Sequence, residues 1–266
     1  MKRNLAALLA VAALALAATG CNKLKARDNL NRGVQAYKST QYTQAVERFE
    51  QAVQLDPTFT PARLYLAMAY YMQYIPGADS PENQQMADRA LDQFQKVLQQ
   101  DPKNDVATKS IASLYYNQKK WEQAEDWYKK CVELNAKDKE AYYTLGVIAW
   151  SKWYPIYGTA RAKLSMKPED PGPIKDKKVK EELKTQYLPL VNAGIQNLEK
   201  ALEIDKEYDD AMAYMNLLIR ERADLDDTPE AYQKDIEVAN NWVQKTLETK
   251  KIKAERKPVS TGLSAQ

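Results

Sequence analysis

Histidine is absent from the 266 residues. That removes the commonest general base and the commonest metal ligand. There are two cysteines, Cys21 and Cys131, too few for a disulfide framework. Glycine (8) and phenylalanine (3) are scarce, and no glycine-rich phosphate loop occurs. Charge of one sign is also lacking: the net charge is +3, so a general attraction to nucleic acid is not supported. The one long apolar run, Leu5 to Ala18, is too short to cross a bilayer core as a helix of about 20 residues. Acidic pairs such as Glu181-Glu182 and Asp209-Asp210 read as solvated faces or caps. These absences predict no catalytic residues, no metal and no cofactor, and the chain is read as a non-enzyme.

What is present is helix-forming and aromatic. Ala, Leu, Lys, Glu and Gln abound, and there are 17 tyrosines. A block closed by Asp or Asn recurs. It runs Gly33, Tyr42, Ala45, Phe49, Ala52 to Asp56-Pro57; then Ala67, Tyr70, Ala90, Phe94, Val97 to Asp101-Pro102. It returns as Ala112, Tyr115, Trp121, Ala124, Tyr128, Cys131 to Asn135, and as Leu145, Gly146, Leu198, Ala201 to Asp205. A weaker copy begins near Asp209 and resumes at Ala239. Small residues let two helices approach, and a large apolar residue four places later falls on the same face. Proline then disfavours helix in the residue before it.

This order resembles the tetratricopeptide repeat, a pair of antiparallel helices in about 34 residues. The resemblance implies an all-α, right-handed superhelical array of about five helix pairs, expected over residues 26–59, 60–104, 105–138, 139–208 and 209–249. The closing residues Asp56, Asp101, Asn135 and Asp205 are unevenly spaced, so segments are expected between the two helices of the second, fourth and fifth repeats. The largest follows Trp150. There Pro155, Gly158, Pro168 and Pro171 to Pro173 predict that no continuous helix passes, with helix resuming near Asp176 as N-cap. Trp153, Tyr154 and Tyr157 in this segment are too apolar for an idle linker and form a candidate insertion surface. Residues 250–266 are polar and basic and are expected to be disordered.

The N-terminus has the anatomy of a secretory signal peptide: Lys2 and Arg3, an apolar stretch, then small residues. Ala18-Thr19-Gly20-Cys21 resembles a bacterial lipobox, with Ala18 where Leu is usual. The resemblance implies cleavage after residue 20, acylation of Cys21, a short linker over 21–25 and residence in the cell envelope. With Asn22 after the cysteine, it implies the outer membrane, facing the periplasm. Cys131 takes the small buried place that Ala52 and Ala201 fill elsewhere, so it is read as a core thiol.

In such repeats the first helices line a concave surface. Four residues after each small residue stand Tyr37, Tyr71, Tyr116 and Trp150, with Tyr143 one turn before Gly146. Two readings stand side by side: these rings line a binding groove, or they pack between neighbouring repeats. The resemblance implies a scaffold that holds another envelope protein or peptide segment, such as an assembly accessory for outer-membrane proteins or pili. The alternative is a lipoprotein that binds a glycan or peptide.

Overall fold

The computed structural model describes residues 2–167 and 169–256, with side chains from Gly20 onward. The leader expected over residues 1–20, apart from its backbone, and the last residues of the expected tail, 257–266, lie outside the described residues. Ten helices occur among the described residues: α1 (Lys2–Lys38), α2 (Tyr42–Leu55), α3 (Thr60–Tyr71), α4 (Pro81–Gln100) and α5 (Asp105–Asn117), then α6 (Trp121–Leu134), α7 (Lys139–Lys163), α8 (Lys177–Ile204), α9 (Asp209–Ala223) and α10 (Pro229–Arg256). No strand occurs among the described residues, and no helix there is long and apolar enough to cross a membrane. The fold is an all-α array of antiparallel helix pairs.

The chain divides into two compact units, Met1–Trp127 and Tyr128–Gln266. In the first, α1 packs on α2 and α3 on α4; in the second, α7 packs on α8 and α9 on α10. The first core centres on Phe49, Phe94, Val97, Ile111 and Leu114. The second centres on Trp153, Ile195, Leu198, Met215 and Leu218. Small residues stand where the helices approach. A Cβ added at Gly33 would lie 2.4 Å from the Phe49 ring, and one at Gly146 would lie 2.5 Å from Leu198. Cys131 is buried.

The turns that close the pairs share one device. Asp56 Oδ1 accepts from Thr58 N at 3.1 Å, Asp101 Oδ1 from Lys103 N at 3.3 Å, Asn135 Oδ1 from Lys137 N at 3.0 Å and Asp205 Oδ1 from Glu207 N at 2.9 Å. The closing carboxylate or amide thus imitates a backbone turn. Helix starts are capped as their residues dictate: Ser80, Asn104, Asp138, Asp176 and Thr228 each accept from a backbone N–H three residues on.

The inserted segments depart from expectation. Residues 21–25, expected as a linker, lie within α1. Helix α7 runs through Pro155 and Gly158 to Lys163. An interior proline costs about 3 kcal/mol. Full burial of Trp153, just before the proline, and an anchored Arg161 nearly two turns after it offset that cost. The added residues of the second repeat form the turn between α3 and α4. Asn83, buried, holds it by accepting from Ile75 N and donating to the Ile75 and Ala78 carbonyls. Helix α10 continues to Arg256, so 250–256 are not disordered. Lys253 pairs with Asp209 and Arg256 with Glu207, giving this basic end an acidic neighbour that composition alone does not reveal.

Candidate functional site

The first helices of the two last repeats, α7 and α9, lie against each other and bring five rings into one strip. Tyr208 meets Tyr143 at 5.0 Å between centroids, Tyr143 meets Tyr214 at 5.7 Å, Tyr214 meets Trp150 at 5.5 Å and Trp150 stacks on Tyr154 at 4.8 Å. Tyr143, Trp150 and Tyr154 recur at helical spacing on α7, and Tyr214 interleaves from α9. Edge-to-face and offset pairs of this kind add about 0.5–1.5 kcal/mol each beyond their buried area. Most of the strip is half-buried. Its end, Tyr154, is 46% exposed.

Polar groups fix the strip from beneath. The Trp150 indole donates to Glu221 Oε1 at 3.0 Å. Glu221 is 6% exposed, and burial pushes its carboxyl up to about 7, against the pull of the Trp150 and Trp153 indoles. One turn on, Tyr157 donates to Asp224 Oδ2 at 2.8 Å, and Arg161 is paired with the same oxygen inside the protein. Burial and the neighbouring Asp224 carboxylate push the Tyr157 hydroxyl up, so it stays protonated. Arg161 also donates to the Lys167 and Asp170 carbonyls, both at 2.7 Å, and Ile174 N donates to the Asp224 carbonyl at 2.9 Å. The strap after α7 is therefore tied to the end of α9.

The insertion surface needs one correction. Trp153 is fully buried and belongs to the core, because α7 continues and turns it inward; Tyr157 is half-buried, and only Tyr154 presents a ring to solvent. Three other candidates, Tyr37, Tyr71 and Tyr116, lie in the first unit and are half-buried. Tyr37 packs edge-on to Tyr42 and Tyr65. The Tyr71 hydroxyl is 2.8 Å from Ser113 Oγ and accepts from Asn117 Nδ2 at 3.3 Å, which joins α3 to α5. Tyr116 meets Trp121 edge-on at 5.5 Å. In these three the packing reading accounts for much of the ring.

Three residues of the strip and its support escaped the sequence reading as site residues: Tyr208, Tyr214 and Glu221, the last of which looks like any acidic surface residue of a helix. The 3.6-residue period did contain Tyr214 and Glu221, which are two turns apart on α9, whereas Tyr208 precedes that helix. No group of three or more potential metal ligands occurs among the described residues.

Tetratricopeptide-repeat family profiles match residues 84–146 and 61–104. Comparison with curated proteins gives no match. Among solved structures the chain is similar to MamA, at 14% identity over 88% of this chain and 96% of that one, with a TM-score of 0.59. It is similar to MamA from Desulfovibrio magneticus RS-1, at 15% identity over 85% and 96%, with a TM-score of 0.55. It is also similar to YrrB, described as a TPR protein with an unusual peptide-binding site, at 15% identity over 84% and 90%, with a TM-score of 0.51. These are likenesses of fold, and they join the repeat order, the helix pairs and the profile matches in one conclusion. The chain has the fold of a tetratricopeptide-repeat array, and residues 61–146 match that repeat's profiles.

Proposed function

We propose that this protein is a membrane-anchored scaffold of the bacterial envelope that holds a segment of another envelope protein against its first helices. The observation that carries this reading is the strip of five rings between α7 and α9, which ends in the exposed Tyr154. Aromatic side chains carry much of the energy of binding sites because they bury a large area at small cost in side-chain freedom. The fold it shares with YrrB supports a peptide as the thing bound. Glycan stacking needs an open ring face, whereas Trp150 has one face on Tyr154 and is met by Tyr214, which favours protein over sugar. The anchor rests on the leader and on Cys21, which is exposed. Several acyl chains on Cys21 would hold the protein firmly at a membrane. Assembly of outer-membrane proteins or of pili is the kind of task that suits such a scaffold.

The test is recovery of partners from detergent-solubilised envelope with the wild type and with a Trp150→Phe, Tyr154→Ala variant of matched helicity. The expected result is loss of the partners retained by the wild type; equal recovery overturns the reading. Labelling with a fatty-acid analogue should mark the wild type and leave Cys21→Ala unmarked.

A further inference from the structure

Beside the end of the aromatic strip lies a pocket of 250 Å³ whose wall includes Tyr154, Tyr157, Met166, Arg220 and Glu221. All its residues belong to the second unit. Arg220 is half-buried there, and its bonding is unlike that of the other ordered arginines nearby. Arg161 is paired with Asp224, Arg222 with Asp235 and Arg256 with Glu207. Arg220 instead donates Nε and Nη2 to Asn216 Oδ1 at 3.3 and 3.2 Å, and Nη2 to Asn240 Oδ1 at 2.7 Å. Its partners are neutral amides from its own helix and from α10. They orient the guanidinium without neutralising it, and among the described residues no carboxylate pairs with it.

A positioned, half-desolvated guanidinium with no counterion is an anion receptor, because its planar fork matches a carboxylate. The neighbouring charges leave that character intact. Arg161 and Asp224 cancel. Glu221 is the adjacent acid, and burial holds its proton up to about 7, so near neutral pH it offsets Arg220 only in part. The remaining wall holds the exposed ring of Tyr154, the Met166 side chain, the Tyr157 ring and the paired Arg161. The pocket has room for one side chain rather than for a folded domain.

We propose that this pocket receives an acidic side chain of the bound protein segment, its carboxylate on Arg220 and a neighbouring apolar side chain on Tyr154. The proposal deepens the scaffold reading and rests on it. It makes the strip the source of affinity and Arg220 the source of selection.

The experiment uses the full chain and two blocked peptides, acetyl-Ala-Phe-Glu-Phe-Ala-amide and the same peptide with Gln for Glu, titrated to millimolar concentration. Tryptophan fluorescence reports binding, since Trp150 stacks on Tyr154. The Glu peptide should bind the wild type roughly tenfold more tightly than the Gln peptide, the worth of one charge-assisted pair. Arg220→Gln should equalise the two peptides and Arg220→Lys should restore part of the difference. Equal affinity in the wild type, an unchanged preference in Arg220→Gln, or no binding of the Glu peptide each overturns the proposal. Should Arg220→Gln lose helicity, Asn240→Ala, which removes one orienting amide, must still lower the preference. The scaffold reading fails separately, through equal partner recovery by the Trp150→Phe, Tyr154→Ala variant. Loss of partners there together with equal peptide affinities would sink the acidic pocket alone.

Discussion

Glu221 shows what one buried acid does to a helical repeat. Its ordinary pKa is near 4.5, and burial carries it to about 7 in the folded protein. The folded state therefore holds this proton more tightly than the unfolded chain. The stability that goes with the proton is present below pH 4.5 and is lost as pH rises toward 7, up to about 3 kcal/mol. Asp205 and Asp209 act with the opposite sign: Lys139 and Lys253 hold their carboxyls below the usual range, so their contribution is present above pH 4 and fades below it. Urea midpoints should fall between pH 5 and pH 8. Glu221→Gln, which keeps an acceptor for the Trp150 indole, should remove most of that fall and raise the midpoint at pH 8. Burial pushes Asp224, against Tyr157 and Arg161, and Asp226 in the same direction as Glu221, and both contribute to the slope that remains. An unchanged slope in Glu221→Gln would mean that the carboxyl is ionised at no cost.

At the scale of elements, the strap of residues 164–176 depends on close backbone approach. A Cβ on Gly172 would fall 1.6 Å from Asp224 Oδ1, and Gly172 N donates to the Tyr232 hydroxyl at 3.0 Å. Gly172→Ala should therefore release the strap while leaving α7 and α8 helical. Limited proteolysis checks this: cleavage within 164–176 should accelerate at least severalfold with little change in circular dichroism. The same region marks where the sequence was legible and where it was not. The helix pairs could be read because Gly33 with Phe49 and Gly146 with Leu198 answer a short-range need, a small residue opposite a large one. Asp176 could be read as a cap for the same reason. The continuation of α7 could not, because what offsets Pro155 is the burial of Trp153 and the pairing of Arg161 with Asp224, a residue 63 positions away. Nor could proline be told from Asp as the element that closes a repeat. Four closing turns use an Asp or Asn side chain, whereas only two of them contain proline. In the candidate site, positions on α7 followed from the register, but Arg220 and Glu221 acquire their character from the absence or presence of neighbours on other helices.

For the whole molecule, the two compact units each have their own core. In repeat proteins stability is close to a sum of repeat and nearest-neighbour contributions. Phe94 is fully buried in the first core. Phe94→Ala should cost about 3–5 kcal/mol. Native-state hydrogen exchange should show that loss in α3 to α5, with α8 to α10 protected as before; a uniform loss across all helices would mean the array unfolds as one body.

The added residues lengthen helices as well as loops, and length sets reach. At about 1.5 Å per residue, α7 is roughly 37 Å long, about twice α3. An extended segment advances about 3.3 Å per residue, so one of about eleven residues could lie beside α7 from end to end. Tyr143 and Tyr154 stand about 16 Å apart on that helix, so a segment of fewer than about five extended residues would have to choose between the tyrosine-rich end near Tyr143 and the arginine end near Tyr154. The insertion after Trp150 thus sets a minimum length for anything that is to touch both.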